Sequence, residues 1–472
     1  MSRYYRATRV FRAAIVVLSV LAAGCGSGSG SGTTQQPVTT GASGIVNINP
    51  KVLLSNIGTA TGNPLNIARS LGGWDWINFL SNFGTLLTNV TYTLDMQKVS
   101  YQSTGADGLQ HTMTGLLILP RHISGARPAV PILMYQHGTE PYRLYSPSRF
   151  LTNQGRPADY PEVMVAAAIA STGYAVAMAD YEGLGDNTDI QPFAHGNSLA
   201  QQVVGMLRAS RDIITGTGSS CTWNSQLFLM GYSEGGYVTL ATTRELQLNH
   251  AAEFTVTASA PLSGPHDLSG TMRTLILSNS TSKAPYFLPF LLTSYNYASG
   301  GNLFNPAGAL ISTLNTTVPP LFAGNTPSDQ INVAMGMIYS NPPVLIVPRS
   351  VLVQSFIDQL SLTTSPLVAF LTQNDSYRNP ANLTTAWKPT VPIRMYHHRS
   401  DELVPYANSQ VAFDAFSTVG AKSRTLQGAG VALLEEPVFL NISPTDPVRT
   451  VHVGAAFPEL NDGWNWINGF KK

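Results

Sequence analysis

Cysteine and charge are both scarce in this chain of 472 residues. It has only 2 cysteines, and charged residues make up 11% of it, with a formal net charge of +1. Nucleic-acid binding needs clustered positive charge, so the composition argues against that class of protein. Cys25 ends a predicted export signal, so Cys221 alone remains in the predicted folded part and an internal disulfide is excluded there. No histidine or basic residue flanks Cys221, and we interpret it as a small packed residue rather than a nucleophile.

The apolar run near the N-terminus is short and has the features of an export signal. Arginines precede it at positions 3, 6, 9 and 12, and residues 13–20 are too few to cross a bilayer as a stable helix. The run ends in Leu21-Ala-Ala-Gly-Cys25, which resembles the lipobox of bacterial lipoproteins, although Ala22 stands where that motif favours leucine. We therefore expect residues 1–25 to be a lipoprotein signal peptide, with Cys25 lipidated and anchoring the exported protein to a membrane. The alternative is an ordinary secretory signal cleaved near Ala23, and both signals export the protein.

A Gly/Ser-rich linker follows at residues 26–44, so the folded part should begin near Ile45. Hydrophobic content of 43%, with 41 glycines and 31 prolines, is typical of a large globular domain with many loops. The length exceeds the usual range of a single domain, which favours a core domain that carries an insertion.

Apolar runs that predict strands alternate with helical patterns along much of the chain. The predicted strands are 92–102, 113–120, 130–135, 174–179, 227–230, 254–260 and 391–397, and the predicted helices are 161–172, 198–215 and 237–248. Such alternation predicts an α/β fold with a mostly parallel sheet and right-handed crossovers.

The alternation breaks between residues 269 and 388. Met335–Tyr339 and Val351–Leu360 have helical patterns, and the whole segment is far too long for a loop, so we expect an inserted, mainly helical cap. Within it, Tyr286-Phe-Leu-Pro-Phe-Leu-Leu292 is an apolar run. We expect Phe287 and Phe290 to line the acyl side of a substrate pocket, and packing into the core is the alternative.

A strand, a tight turn and a helix are predicted around Ser233. Leu227 to Met230 form a buried-strand run that leads into Gly231-Tyr-Ser-Glu-Gly235, a G-x-S-x-G pattern, and the predicted helix follows. This is the context in which the pattern forms a nucleophile elbow, with a strained serine whose hydroxyl is exposed. The start of the helix directs N–H groups at any oxyanion that forms beside the serine. The alternative is an ordinary Gly/Ser turn of an α/β protein.

A serine hydroxyl needs a base to take its proton and an acid to orient that base. Asp401 follows the predicted strand 391–397, at the sheet edge where catalytic groups collect. His452 lies after a strand-like run at 431–433 and before the last predicted helix, which fits a catalytic histidine loop. Asp267, after the strand that follows Ser233, is the alternative acid, and Glu402 is more simply a solvated loop charge.

Other polar residues near strand ends have simpler explanations. His397, His398 and Asp401 could be metal ligands, but no further ligand has suitable spacing. Asp180 and Asp186 are expected to anchor the loop after their strand. No metal and no organic cofactor is implied.

These elements resemble the α/β-hydrolase superfamily and, within it, the bacterial secretory lipase-like esterases. The resemblance covers residues 92–265 and 390–460 and rests on the Asp401 loop, the late His452 and three motifs: His137-Gly-Thr139, Asp180-Tyr-Glu-Gly-Leu-Gly185 and Gly231-Tyr-Ser-Glu-Gly-Gly236. It implies Ser233 as nucleophile, His452 as base and Asp401 as orienting acid. It also implies an oxyanion hole made by the backbone N–H groups of Glu234 and Thr139, with His137 supporting the turn. We expect a catalytic domain formed by residues 45–268 and 389–472, with residues 269–388 as its cap.

The expected function is hydrolysis of carboxylic esters, of small molecules or lipids, through an acyl-enzyme. One alternative is a serine peptidase similar to the prolyl oligopeptidase relatives, which usually carry a large propeller that residues 45–91 cannot hold. The other is a catalytically inactive, surface-anchored binding lipoprotein, against which the intact Ser233, Asp401 and His452 argue.

Tryptophan is concentrated in two similar segments, Gly73-Trp-Asp-Trp-Ile-Asn78 and Gly463-Trp-Asn-Trp-Ile-Asn468. They could form an aromatic surface for lipid or polymer. We favour packing of both segments on the core, because tryptophan is highly buried on average.

Overall fold

The computed structural model describes residues 41–42, 46–48, 91–152, 159–340, 342–421, 431–435 and 450–472. The predicted signal peptide, Cys25, most of the linker, the predicted start at Ile45 and the first tryptophan segment lie outside the described residues.

A ten-stranded sheet lies at the centre of the described structure. The strands in chain order are β1 (Gly41–Ala42), β2 (Val46–Ile48), β3 (Tyr92–Thr104), β4 (Gln110–His122), β5 (Ala129–Gln136), β6 (Ala175–Ala179), β7 (Thr222–Tyr232), β8 (Ala258–Leu262), β9 (Arg378–Asn379), β10 (Asn382–Ala386), β11 (Ile393–His397) and β12 (Val431–Glu435). Their order across the sheet is β1-β3-β4-β6-β5-β7-β8-β11-β12, with β2 also paired to β3, while β9 and β10 form a separate small sheet.

Most of the sheet is parallel, as predicted. Strands β6, β5, β7, β8, β11 and β12 run parallel to one another. Strands β3 and β4 form an antiparallel pair with unbroken register, and β4 joins β6 in antiparallel fashion. Strand β5 lies between β6 and β7, so the chain order reverses there and the carboxyl ends of β5 and β7 are neighbours. Open α/β sheets bind ligands at such a point.

Helices cover both faces of the sheet. They are α1 (Pro161–Ala170), α2 (Gly196–Thr215), α3 (Glu234–Asn249), α4 (Arg273–Leu277), α5 (Phe287–Ala298), α6 (Pro306–Ala309), α7 (Ser328–Ala334), α8 (Gln354–Ser361), α9 (Pro366–Gln373), α10 (Ala407–Thr418) and α11 (Val451–Asn468), with single helical turns at Arg143–Tyr145, Pro147–Phe150, Leu268–Met272, Pro319–Phe322 and Pro348–Val351. No helix among the described residues is both long and apolar enough to cross a bilayer.

Burial on two faces explains why the central strands are continuously apolar. Along β5, Ile132 and Met134 belong to one buried cluster, with α2 and α3, while Leu133 and Tyr135 belong to a second, with α1 and α11. Successive side chains of a strand point to opposite faces, so both faces need apolar residues here. The second tryptophan segment lies on α11, where Trp464 is buried in that second cluster and Trp466 packs beside it.

Short helices, turns and the β9–β10 hairpin occupy the chain between β8 and β11. The predicted helix at Val351–Leu360 corresponds to α8, but the predicted helix at Met335–Tyr339 is wrong. Helix α7 ends at Ala334, Gly336 adopts a φ of 99°, and Ile338 instead forms a β-bridge with Val344. A positive φ at glycine ends a helix, and the apolar spacing alone did not reveal that stop.

The start of α3 packs directly on the backbone of β5 and β8. A Cβ atom on Gly235 would collide with the carbonyl oxygen of Gln136, and one on Gly236 would collide with that of Leu262. Both positions therefore exclude every residue with a side chain.

We predict that Gly235→Ala destabilises the protein by about 3 kcal/mol or more, the upper end of the cost of overpacking, because rigid backbone surrounds the added methyl group. Urea unfolding followed by circular dichroism measures this. The control is Gly308→Ala, where the nearest atom to the added Cβ is 3.9 Å away. Equal midpoints for the two variants would refute the close-approach argument.

Candidate active site

The chain turns sharply at Ser233, between the end of β7 and the start of α3. Ser233 has φ 60° and ψ −122°, a region that residues other than glycine rarely occupy. Its N–H donates to the carbonyl oxygen of Leu262 at 2.9 Å, and its own carbonyl accepts from the N–H of Tyr237 at 3.0 Å. The turn has the conformation expected of a nucleophile elbow.

Three predicted site residues meet beside this turn. Nε2 of His452 lies 2.8 Å from Oγ of Ser233, and Nδ1 of His452 lies 2.5 Å from Oδ2 of Asp401. When Nδ1–H donates to the carboxylate, Nε2 is free to accept the serine proton. Residues up to 219 positions apart in the chain thus form one hydrogen-bonded row.

Backbone and side-chain donors fix the carboxylate of Asp401. The N–H groups of Leu403 and Val404 donate to Oδ1 at 3.0 and 2.8 Å. Burial disfavours the charge, but attraction to His452 and hydrogen bonds from His397 and His452 outweigh it and hold the pKa of Asp401 well below its ordinary value. Asp401 is therefore ionised at neutral pH and can orient the imidazole.

His452 lies in the first turn of α11, not in a loop before the last helix as predicted. The hydroxyl of Thr450 caps this helix, and the Glu402 carboxylate accepts from the N–H of Val451 at 3.0 Å. Glu402 is exposed but has a capping contact, because unpaired N–H groups at a helix start attract carboxylates. The hydroxyl of Tyr232 donates to the carbonyl oxygen of His452 at 2.6 Å, which ties the helix start to the strand before the elbow.

Asp267, the alternative acid, is engaged elsewhere. Its Oδ2 accepts from the N–H and the hydroxyl of Thr271 at 2.7 and 2.8 Å, which caps the turn Leu268–Met272. The hydroxyl of Tyr377 donates to Oδ1 at 3.2 Å. Among the described residues, Asp401 and not Asp267 is the carboxylate that contacts His452.

Two backbone N–H groups near Ser233 are available to bind an oxyanion. Glu234 is the first residue of α3, where a helix leaves its N–H groups unpaired, and Thr139 follows β5, the strand that pairs with β7. Within the described part of the chain, neither N–H has a protein acceptor. Both residues line the same pocket as Ser233.

The turn that carries Thr139 is held from both sides. On one side, the N–H of Gly138 donates to both oxygens of Glu162 at 3.1 and 3.0 Å. On the other, the ring of His137 stacks on Tyr181 with centroids 4.1 Å apart, and its Nδ1 lies 2.8 Å from the carbonyl oxygen of Gly138. Burial lowers the pKa of His137, so this ring is neutral at pH 7, and it contacts both Gly138 and Tyr181.

Three carboxyl groups surround this turn. Burial raises the pKa of Glu162 to about 7, of Glu140 to about 8 and of Glu234 to about 8, and repulsion by Glu162 adds to the rise for Glu140 and Glu234. Hydrogen bonds from Gly138 and Tyr135 act in the opposite direction on Glu162.

An apolar pocket of about 830 Å³, including space open to solvent, lies beside Ser233. Its polar lining includes Thr139, Glu234 and Glu402. Apolar residues that follow β8 in the chain form much of its wall: Met272, Leu275, Ile276, Phe287, Leu288 and Leu291.

The two phenylalanines predicted to line this pocket have different environments. Phe287 is half-buried and lines the pocket. Phe290 is 1% exposed and stacks between Phe193 and Phe322, with ring centroids 4.6 and 4.8 Å apart. Phe290 therefore packs into the core, whereas Phe287, three residues earlier on the same face of α5, lies at the pocket wall. Both rings contact Phe193.

One group of side chains among the described residues has the spacing of metal ligands: Asp107, His111 and Glu182, whose ligand atoms lie within 4.8 Å of one another. Protein groups already use these atoms. His111 contacts Asp107 and Asp189 at 2.9 Å each, and Glu182 accepts from Tyr297 at 2.6 Å. The group is explained by these contacts without a metal.

The remaining predicted residues have protein partners. The ring nitrogens of His397 contact the hydroxyl of Ser409 and the carbonyl of Val404, each at 2.7 Å. Asp180 accepts from Ser148 and Thr114, and Asp186 pairs with Lys98 and Arg149. These contacts anchor the loops around the site.

Sequence reasoning missed Glu162 and Tyr232. Glu162 is 24 positions from Gly138, and a carboxylate in the first turn of a helix has an ordinary local explanation. Its only signal is its place in the helix that follows the turn carrying Thr139. Tyr232 occupies a variable position of the G-x-S-x-G pattern, so nothing in the motif indicates its bond to His452.

Comparison with known protein families finds a match for one segment of the chain. The model of the secretory lipase family matches residues 154–277, which include Ser233. No curated protein matches the sequence significantly.

Solved structures of similar fold cover most of the chain. A candidate hydrolase from Legionella pneumophila has a TM-score of 0.68 at 21% identity, covering 91% of this chain and 98% of that one. The rice cell wall degrading esterase LipA from Xanthomonas oryzae has a TM-score of 0.68 at 22% identity, covering 83% and 95%. Candida antarctica lipase A has a TM-score of 0.52 at 18% identity, covering 73% of each chain. The predicted resemblance is confirmed: the fold is that of the α/β-hydrolases.

The lowered pKa of Asp401 predicts how its contribution to the free energy of unfolding depends on pH. Its ionised form stabilises the folded state fully above the unfolded pKa of about 3.9, and this contribution is lost as the pH falls toward the folded pKa. The free energy of unfolding that Asp401→Asn removes should therefore be largest above pH 5 and shrink by up to about 1.4 kcal/mol per pH unit below pH 4. Urea unfolding from pH 7 to pH 3 measures it. The control is Asp414→Asn, an exposed carboxylate on α10. A loss for Asp401→Asn that is independent of pH would contradict the prediction.

Proposed function

We propose that this protein, which has the fold of the α/β-hydrolases, cleaves carboxylic esters, with Ser233 as nucleophile, His452 as general base and Asp401 as the acid that orients it. The observation that carries the proposal is the row from Oγ of Ser233 through His452 to Asp401, with contacts of 2.8 and 2.5 Å. The row ends beside an apolar pocket. The match to the secretory lipase family supports an ester as substrate.

Acylation begins when Oγ of Ser233 attacks the ester carbonyl carbon and Nε2 of His452 takes the hydroxyl proton. The carbonyl electrons move onto the oxygen, and the N–H groups of Glu234 and Thr139 hydrogen-bond to the oxyanion. When the tetrahedral intermediate collapses, the bond to the alcohol breaks and the alcohol takes the proton from His452. The acyl group remains on Ser233.

Deacylation repeats these steps with water as the nucleophile. His452 takes a proton from the water, whose oxygen attacks the acyl carbon, and then returns the proton to Oγ of Ser233 as the acid leaves. Asp401 stays ionised throughout and stabilises the imidazolium that forms twice. Its two backbone donors hold the carboxylate still, so the imidazole needs little reorganisation.

The pocket favours an ester over the alternatives. A peptide backbone needs hydrogen-bonding partners along its length, whereas Met272, Ile276 and Leu291 offer apolar surface for an acyl chain. A binding protein without activity would not need a base within hydrogen-bonding distance of a strained, half-buried serine that lines the pocket.

Residues 269–388 are the cap in this proposal. They contribute most of the apolar wall described above and face Ser233 across the pocket. A cap of this kind sets the substrate preference and excludes water from the reacting atoms.

The protein works outside the cytoplasm in this proposal, tethered by lipidated Cys25. The family of secretory lipases supports export, and the Leu21–Cys25 motif supports the anchor.

Hydrolysis of p-nitrophenyl esters tests the proposed function. We expect the wild type to hydrolyse these esters. Ser233→Ala should lower kcat by about 10⁶-fold, because the nucleophile is lost, and Asp401→Asn by about 10⁴-fold, because the orienting acid is lost. The matched control is Asp267→Asn, whose carboxylate caps a turn away from His452. We expect its kcat within about threefold of wild type. If Asp267→Asn loses activity while Asp401→Asn stays active, Asp267 and not Asp401 is the acid that orients His452.

The two phenylalanines of α5 provide a matched pair for the acyl pocket. Phe287→Ala should change the preference between short and long acyl chains with little change in Tm, because Phe287 lines the pocket. Phe290→Ala should cost about 3–5 kcal/mol and leave the preference profile unchanged, because Phe290 is buried between two rings. Thermal melts and esters of graded acyl length measure both effects. Identical profiles for wild type and Phe287→Ala would disprove the lining role.

A further inference from the structure

Glu162 is the only one of the carboxyl groups around the Thr139 turn whose oxygens contact the backbone of that turn's glycine. Its Oε1 and Oε2 share the N–H of Gly138 at 3.1 and 3.0 Å, and the hydroxyl of Tyr135 donates to Oε1 at 3.1 Å. Tyr135 lies on β5 and Glu162 lies in the first turn of α1, so two rigid elements hold the carboxylate in place.

These contacts set the direction in which the N–H of Thr139 points. A peptide unit is planar and trans, so its carbonyl and its N–H point in opposite directions. The carbonyl of Gly138 faces Nδ1 of His137 at 2.8 Å, and the N–H of Thr139 belongs to the same peptide unit. The preceding peptide unit is fixed by Glu162 through the N–H of Gly138. Both units are thereby held, and the N–H of Thr139 is left for a ligand in the pocket.

Steric packing alone does not fix Gly138 in the way that its hydrogen bond to Glu162 does. A Cβ atom on Gly138 would lie 3.7 Å from Oε2 of Glu162 and 3.4 Å from the carbonyl oxygen of Tyr232, both ordinary contacts. Hydrogen bonds hold the peptide unit between His137 and Gly138 instead. The N–H of Gly138 donates to Glu162 on α1, and the hydroxyl of Tyr181 donates to the carbonyl oxygen of His137 at 3.2 Å. An ionised carboxylate is a stronger acceptor for such an N–H than a neutral group.

We propose that Glu162 is a positioning residue for the oxyanion hole: its carboxylate holds the N–H of Gly138 and so presents the N–H of Thr139 to the oxyanion formed on the substrate. This inference rests on the proposed ester hydrolysis at Ser233. Glu162 touches neither substrate nor reacting atoms and acts through the backbone of the turn.

The oxyanion exists only in the transition state and the tetrahedral intermediate, so losing the tether should lower kcat and leave KM unchanged. Removing a whole oxyanion donor costs about 10²- to 10³-fold, and a displaced donor should cost less, so we expect kcat to fall about 10- to 100-fold in Glu162→Ala. Glu162→Gln keeps the shape and one neutral acceptor, and its kcat should fall about fivefold. Tyr135→Phe should lie between wild type and Glu162→Ala.

Inhibition by an alkyl trifluoromethyl ketone provides a second measurement. Its inhibition constant, Ki, would not change if Glu162 had only a structural role. Oγ of Ser233 adds to its carbonyl carbon, the proton passes to His452, and the carbonyl oxygen becomes an oxyanion in the same hole. Its Ki should rise in each variant by the factor by which kcat/KM falls. The matched control is Glu245→Gln, which should behave as wild type in both assays. Glu245 is a buried carboxyl late in α3 whose partners are Gln201, Asn249 and His250.

The outcomes separate this inference from the proposed function. A wild type that hydrolyses no ester overturns both. An active wild type whose Glu162→Gln and Glu162→Ala forms keep kcat within twofold, or whose KM rises at constant kcat, overturns the role of Glu162 alone. If Glu162→Ala does not fold, the test uses Glu162→Gln, which preserves the side-chain volume. An unchanged Ki for the ketone in that variant refutes the inference.

Discussion

The backbone at Ser233 is held in a conformation that costs about 1–3 kcal/mol, and the rest of the site depends on that strain being maintained. Close backbone contacts maintain it. Gly235 and Gly236 allow α3 to touch the ends of β5 and β8, and the N–H of Ser233 is bound by the carbonyl of Leu262. The same turn places the hydroxyl of Ser233 and the N–H of Glu234, so the proposed nucleophile and one proposed oxyanion donor are positioned as a single unit.

The buried carboxyl groups at the same edge of the sheet differ in pKa because their electrostatic surroundings differ. Asp401 is buried but keeps a low pKa, because His452 and His397 lie against it and two N–H groups donate to it. Glu140 and Glu234 each accept one backbone N–H, from Tyr142 and Ala194, but no histidine lowers the pKa of either, and burial raises both pKa values to about 8. Desolvation has the same sign for every carboxyl group, so the nearby donors and cations decide which one is charged at neutral pH.

The sequence predicts well where the central strands end. The site residues that follow those strand ends could therefore be predicted too. Ser233 lies in a local pattern, and Asp401 follows a recognisable buried strand, so both could be found without coordinates. His452 was found by its order in the chain, but its place in the first turn of α11 depends on capping by Thr450 and Glu402, and Glu402 is 49 positions from the helix start. Contacts between distant segments of this kind leave no periodic signal in a single sequence.

The same limit explains the other differences. The tether from Glu162 to Gly138 joins two elements whose adjacency appears only after the sheet has formed. Phe287 and Phe290 share one apolar run and one face of α5, and both contact Phe193, but Phe287 lines the pocket while Phe290 is enclosed between two rings. Composition cannot separate these roles, because both environments favour an aromatic residue.

The mass of the protein after a brief, acid-quenched reaction with an activated ester tests the central claim most directly. The account predicts one added acyl group per protein molecule, located by peptide mapping on Ser233 and missing from Ser233→Ala. An acyl group on any other residue, or rapid turnover of the ester without any acylated protein, would contradict it.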